Sequence, residues 1–140
     1  FQRLFEHRIV FEGMLLKPNM VIAGANCSRP SGAEEVAAMT LRCLRQTVPA
    51  AVPGIVFLSG GQSEIQATEN LNAINGIKDV PWQLSFSFGR ALQASALKVW
   101  KGQPENAGPA REALLHRARC NGAARRGEYS PTKDRKGVGS

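Results

Sequence analysis

Apolar and polar positions along this chain fall into two alternating kinds of block. The run Ile9-Val10-Phe11-Glu12-Gly13-Met14-Leu15-Leu16 is short and mostly apolar, and Lys17-Pro18-Asn19 closes it. Proline at 18 disfavours helix at Lys17 and pushes it toward extended backbone, so residues 9–16 are predicted to form a strand. Gly54-Ile55-Val56-Phe57-Leu58, bounded by turn formers, reads as a second strand buried on both faces. Gln83-Leu84-Ser85-Phe86-Ser87-Phe88 is the third.

Between these runs the period changes from two to 3.6. Ser31-Gly32-Ala33-Glu34 has capping-box spacing, and Val36, Met39, Thr40, Cys43, Leu44 and Thr47 follow at helical intervals up to Pro49. Ser63-Glu64-Ile65-Gln66 is a second such box. It opens a helix whose buried face is predicted to hold Ile65, Thr68, Leu71, Asn72 and Asn75, with Gly76 as its C-terminal cap. Gly89-Arg90 enters a helix over 91–101, with Leu92, Ala96 and Val99 or Trp100 for its buried face. Another helical stretch runs over about 105–126.

Strand, helix, strand, helix, strand, helix, with uniformly apolar strands, predicts parallel βαβ units and an α/β fold. Three strands make either a small open sheet or a piece of something larger. A complete eight-stranded barrel needs about 250 residues, and the 140 residues here begin without methionine, close to the first strand. The chain therefore reads as a fragment.

Composition narrows the class. With 43% hydrophobic residues, wholesale disorder is excluded. The uncharged stretch 46–63 is broken by Pro49, Pro53, Gly54, Gly60 and Gly61, so no membrane partner is expected. No charged-then-apolar leader follows Phe1. Cys27, Cys43 and Cys120 are too few and scattered for a disulfide framework or a CxxC metal knuckle, which fits a reducing, cytoplasmic setting.

The net charge is +7, of which residues 111–140 carry +5, from eight Lys and Arg against three acids. Tyr129 is the only aromatic in that stretch. A solvated basic helix and frayed tail is therefore expected, not a nucleic-acid surface. Residues 127–140 hold three glycines, a proline and no aliphatic cluster, and are expected to be mobile.

Candidate chemistry collects in the loops after the strands, the face that forms the active site of an α/β barrel. By parity Lys17 shares a face with Leu15, Gly13, Phe11 and Ile9. Its amine can thus project from an apolar wall, where burial lowers a lysine pKa and frees the lone pair for attack on a carbonyl. Most loop lysines, however, are solvated surface charges. Ser59, Gly60 and Gly61 follow the second strand, and such a backbone can approach an anion closely; it can equally be a plain strand-to-helix turn. Ser87, Phe88, Gly89 and Arg90 follow the third strand, where helix amides and a guanidinium suit phosphate. Two such motifs on adjacent strands are where many barrels build a phosphate site. His7 and His116 have no partner at metal-ligand spacing, so no metal site is expected. Glu12 within a strand is undecided between acid, ion-pair partner and structural acceptor.

At these residues the sequence resembles class I fructose-bisphosphate aldolase. Phe11-Glu12-Gly13-Met14-Leu15-Leu16-Lys17-Pro18-Asn19-Met20 is similar to the segment carrying that family's Schiff-base lysine. Phe57-Leu58-Ser59-Gly60-Gly61-Gln62-Ser63-Glu64 resembles its phosphate loop, with Leu71-Asn72-Ala73-Ile74-Asn75 the helix beyond. Ser87-Phe88-Gly89-Arg90-Ala91-Leu92-Gln93 resembles its second phosphate motif. The resemblance extends from Phe1 to about Tyr129. It implies a (β/α)8 TIM barrel, of which residues 1–126 supply the last three βα units and the C-terminal helix.

It also implies reversible, metal-independent cleavage of fructose 1,6-bisphosphate to dihydroxyacetone phosphate and glyceraldehyde 3-phosphate, a step of glycolysis and gluconeogenesis. By motif, Lys17 forms the Schiff base. Ser59, Gly60, Gly61, Ser87, Gly89 and Arg90 hold the ketose phosphate. No cofactor is implied, and the complete protein is expected to be a homotetramer.

Two departures stand out. Phe88 replaces the family's usual tyrosine, and the chain lacks the terminal tyrosine of many animal members. The family's acid–base carboxylates and remaining lysines lie on earlier strands, so the fragment alone is expected to be inactive. The alternatives from other classes are a non-catalytic sugar-phosphate-binding or scaffold module, and polyanion binding through residues 111–140.

Overall fold

The computed structural model describes residues 1–136. Three strands, β1 (Leu15–Leu16), β2 (Gly54–Phe57) and β3 (Gln83–Phe86), form one parallel sheet in the order β1-β2-β3. Leu15 pairs with Gly54, Ile55 with Leu84 and Phe57 with Phe86. The helices are α1 (Gln2–Glu6), α2 (Ala33–Thr47), α3 (Glu64–Gly76), α4 (Arg90–Trp100), α5 (Ala107–Ala124) and α6 (Pro131–Lys136). The expected parallel α/β order is present. Among the described residues no helix is long and apolar enough to cross a membrane.

Alternation along β2 and β3 builds the core. Ile55, Phe57 and Leu84 are buried and join Val36, Leu41, Leu71, Ile74 and Ala124 of the helices in one cluster. Val56 and Ser85, which alternate with them, are only half-buried. β2, expected from its composition to be buried on both faces, is thus left half-open at Val56, on the face that further strands of a barrel would cover. Trp82 pins the start of β3 by donating its indole N–H to the Pro49 carbonyl at 3.0 Å.

Local signals succeed where the partner is near in sequence. The Ser63 capping box is complete: Gln66 N donates to Ser63 Oγ, and Ser63 N to Gln66 Oε1. The Ser31 box is absent. α2 begins at an extended Gly32 with no side-chain cap. The first strand is also shorter than predicted. Only Leu15–Leu16 pair, because β2 starts opposite Leu15 and gives residues 9–13 no neighbour; Phe11–Gly13 wind into a 3-10 turn instead. Phe11 packs edge-on against Phe1, with ring centroids 5.5 Å apart.

Two helix faces and one helix boundary differ from the periodicity. α3 buries Ala67, Thr68, Asn70, Leu71 and Ile74, while Ile65 is 48% exposed. The helix lies between α2 and α5, which rotates the buried arc away from Ile65. Gly76 is its last residue, and the cap is an extended Ile77. In α4 only Ala91 is fully buried, and Val99 and Trp100 are exposed. The stretch over 105–126 divides into a 3-10 turn, Pro104–Asn106, and α5.

The C-terminal segment is not uniformly solvated. Arg117 is 4% exposed, and Pro131–Lys136 are helical with Asp134 buried. Residues 137–140 lie outside the described residues. Gly127, at φ +73°, lets the chain turn back after α5; a Cβ there would meet the Asn75 carbonyl at 3.3 Å.

Leu71→Ala is expected to cost about 2–5 kcal/mol of unfolding free energy, and Ile65→Ala less than about 0.5 kcal/mol. Urea denaturation measures both, and equal losses would contradict this orientation of α3.

Candidate functional site

All three strand-following loops leave the carboxyl edge of the sheet and are bonded to one another. The Pro18 carbonyl, one residue beyond Lys17, accepts from Leu58 N at 3.0 Å. Asn19 Nδ2 donates to the Gly60 carbonyl at 3.3 Å, while Asn19 Oδ1 accepts from Met20 N. Ser87 N donates to the Phe57 carbonyl at 2.8 Å. The first loop is therefore tied to the second, and the second to the third. Parallel strands in register require this, since their C-terminal ends fall side by side.

Within that edge, Gly60 and Gly61 are there for geometric reasons. A Cβ on Gly60 would meet Leu58 Cδ1 at 3.0 Å, and Gly61 holds φ +74°. Gln62 N closes the turn on the Ser59 carbonyl at 3.2 Å. Ser59 and Gly60 are half-buried, whereas Gly61, Ser87, Gly89 and Arg90 are exposed. Gly89 is the N-cap of α4, which offers its first amides without a side-chain cap, and Arg90 is its first residue.

Lys17 follows β1 directly, but it is exposed, and Leu15 on its face is 62% exposed. The apolar wall expected around the amine is not supplied by this chain. A hollow of about 290 Å³ opens beside Arg90, lined also by Gln62, Ser63, Glu64, Ser95 and Lys98. A larger one, about 570 Å³, lies between α2, α3 and the start of α6 and contains none of the three loops. Size is outweighed here by the chemistry of the lining.

Behind the loops sits a buried polar network that periodicity did not reveal. Arg117 Nη1 reaches Asp134 Oδ2 at 3.1 Å, and Nη2 reaches Glu64 Oε1 at 3.5 Å. Asp134 also accepts from Tyr129 Oη at 2.7 Å, lies 2.6 Å from His116 Nε2 and takes a Cys120 Sγ contact at 3.5 Å. Thr68 Oγ1 is 2.7 Å from the Asn121 carboxamide and accepts from Arg117 at 3.3 Å. The one available signal was arginine, cysteine and asparagine at 117, 120 and 121, on one face of a helix expected to be solvated.

Charge states follow from these contacts. Burial works to lower the Arg117 pKa, but the Asp134 and Glu64 carboxylates outweigh it and leave it raised. Burial opposes ionisation of Asp134 too, yet the hydrogen bonds from Tyr129 and His116 and the Arg117 charge hold it down at about 2. Burial, then Asp134, pushes the Cys120 thiol up to about 11, and the same two influences raise Tyr129. His116, Cys120 and Asp134 do place one nitrogen, one sulfur and one oxygen within 4.8 Å of one another. Arg117 already occupies the same carboxylate, supplying the positive charge that a metal would bring, so this set is read as structural.

A parallel α/β unit with polar loops gathered at the carboxyl edge of its strands is the arrangement on which α/β barrels and open α/β sheets alike build their sites. The family model "Fructose-bisphosphate aldolase class-I", of the glycolytic type, matches residues 1–139. Fructose-bisphosphate aldolase 1 of Toxoplasma gondii is 55% identical over 129 residues, which are 92% of this chain and 36% of that protein. Fructose-bisphosphate aldolase C-A of Danio rerio is 53% identical over 139 residues, 99% of this chain and 38% of its own length. Fructose-bisphosphate aldolase of Plasmodium falciparum, in a ternary co-crystal structure with TRAP and a small-molecule inhibitor, superposes with a TM-score of 0.90 at 53% identity. That match covers 93% of this chain and 38% of the other. The chain belongs to the class I fructose-bisphosphate aldolase family and spans little more than a third of the length of these relatives.

Because the folded carboxyl of Asp134 titrates near 2, below the usual 3.9 or so, it contributes on the order of 2 kcal/mol above about pH 4. That contribution disappears as the pH falls through about 2. Urea unfolding at pH 7 and pH 3 should show Asp134→Asn losing less stability on acidification than the parent; parallel losses would count against the assignment.

Proposed function

We propose that the complete protein carrying this chain is a Schiff-base fructose-bisphosphate aldolase, with Lys17 as the covalent residue and Ser59, Gly60, Gly61, Ser87, Gly89 and Arg90 as the ketose-phosphate grip. The observation that carries this reading is the bonding of the three loops along one sheet edge. The Lys17 amine adds to the ketone carbon of fructose 1,6-bisphosphate and water leaves, giving an iminium. A base then takes the proton of the C4 hydroxyl, the C3–C4 bond breaks with its electron pair flowing to the iminium, and glyceraldehyde 3-phosphate departs. Protonation of the resulting enamine and hydrolysis of the imine release dihydroxyacetone phosphate. Binding the phosphate fixes the carbonyl beside Lys17, so binding energy supplies orientation.

The acid–base groups for these proton transfers come from parts of the barrel outside this chain, and the 140 residues alone do not catalyse the reaction. The complete protein is read as a cytoplasmic homotetramer. Exposed thiols at Cys27 and Cys43 suit a reducing compartment, although one relative is chloroplastic. A second reading, a non-catalytic scaffold, takes its motive from the Plasmodium aldolase, whose structure contains TRAP.

Borohydride reduction in the presence of dihydroxyacetone phosphate separates the two readings. The complete protein should acquire a covalent adduct on Lys17 that Lys17→Arg abolishes; absence of any adduct would favour the scaffold. Efficient cleavage of fructose 1,6-bisphosphate by the 140-residue chain alone would overturn the assignment of acid–base groups elsewhere.

A further inference from the structure

We infer that Glu64 is a positioning residue that sets the spacing of the two phosphate loops, and that α6 stiffens it through Arg117. This rests on the proposed ketose-phosphate grip and adds how that grip is held. Glu64 is the first residue of α3, immediately beyond the Ser59–Ser63 turn, and Ser95 lies little more than one turn into α4, beyond Ser87–Arg90. Glu64 Oε1 accepts from Ser95 Oγ at 2.5 Å, and Oε2 accepts from Ser95 N at 3.2 Å. Both oxygens of one carboxylate therefore hold the helix that follows the other loop.

No other side-chain hydrogen bond joins α3 to α4 among the described residues, and the seam beside this one opens into the hollow of about 290 Å³. Closer to the sheet the two loops meet through Ser87 N and the Phe57 carbonyl. They are thus pinned to each other at two levels, by backbone at the strand ends and by Glu64 at the helix starts.

Arg117 makes the upper pin rigid. Its side chain is 5% exposed and lies 3.5 Å from Glu64 Oε1, while its other contacts fix it to Asp134 on α6. A flexible glutamate at a helix start has several rotamers in water. Here one oxygen is shared between a hydroxyl and a buried guanidinium, which selects a single one. Lys17, just beyond β1, makes no described hydrogen bond to Glu64, Ser95 or Arg117, and its own loop meets the middle loop closer to the sheet, through Pro18 and Asn19. The clamp should therefore govern phosphate recognition and leave attack on the carbonyl unaffected.

The test compares two ketones on the complete protein. Imine trapping by borohydride is titrated with dihydroxyacetone phosphate and with dihydroxyacetone, which lacks the phosphate. Glu64→Ala and Ser95→Ala are expected to raise the half-saturating concentration of the phosphorylated ketone about tenfold and to leave the other unchanged. Glu64→Gln, which still accepts from Ser95, should recover part of the loss. Ser95→Ala keeps Arg117 paired with both carboxylates, so its buried charges stay balanced. Asp134→Asn should show the same selectivity at smaller size if α6 acts through Arg117.

Equal weakening for both ketones, or no change for either, overturns the proposal. Calorimetric binding of inorganic phosphate to the same proteins reads the grip without the imine. Should the parent protein form no adduct, a tenfold loss of phosphate affinity in Ser95→Ala still upholds the clamp while the Schiff-base reading fails. No phosphate binding to the parent overturns the clamp and the grip it is built on, whatever the adduct shows.

Discussion

The structure depends on having placed one guanidinium out of water. Arg117 sits in the middle of α5, 4% exposed, where an unpaired cation would cost several kcal/mol. Its charge is met by two carboxylates on different elements, Asp134 of α6 and Glu64 of α3. Each carboxylate then recruits further donors: Tyr129 and His116 on one, Ser95 on the other. In this way α3, α4, α5 and α6 are joined by a chain of polar contacts that runs through a single charged group. Removing either partner exposes the others to the same penalty, which makes the network cooperative.

This arrangement lies behind the sheet edge, not in it. The edge owes its geometry to parallel pairing, which aligns the ends of β1, β2 and β3 and leaves their loops adjacent. Glycines at 60 and 61 let the middle loop turn between Leu58 and Asn19 without a steric clash. The helices starting at Glu64 and Arg90 follow two of these loops, and Glu64 joins them through its hydrogen bonds to Ser95. The half-buried second face of β2 and the exposed Lys17 both point to the same conclusion. These residues form one arc of a barrel whose remaining strands complete the wall.

Much of this was legible locally. The capping box at Ser63, the strands at Gly54–Phe57 and Gln83–Phe86 and the glycine loop after the first of these depend on residues within a few positions of one another. The family resemblance rested on those same segments, and the wider match along the chain agrees with it. Failures came where a distant neighbour decides. Residues 9–13 have strand composition but no strand opposite them, so they turn. Ile65 has the period of a buried residue, yet α3 is rotated by the helices on either side. His116 meets Cys120, four residues on, at 3.7 Å, but its shorter contact is with Asp134, 18 residues away, which no local spacing announces.

From the amino-acid order alone came the alternation of strand and helix, the parallel class, the loops that carry the candidate chemistry and the family to which they belong. Those features arise from side-chain period, turn residues and motif spacing, all of which act over short stretches of chain. Only the folded molecule decided that Arg117 is buried, that Asp134 is paired with it from α6 and that Glu64 joins α3 to Ser95 of α4. The reason is electrostatic. A charge enters the interior only where opposite charges from remote segments converge on it, and spacing within α5 marks the face on which Arg117 lies without naming those partners.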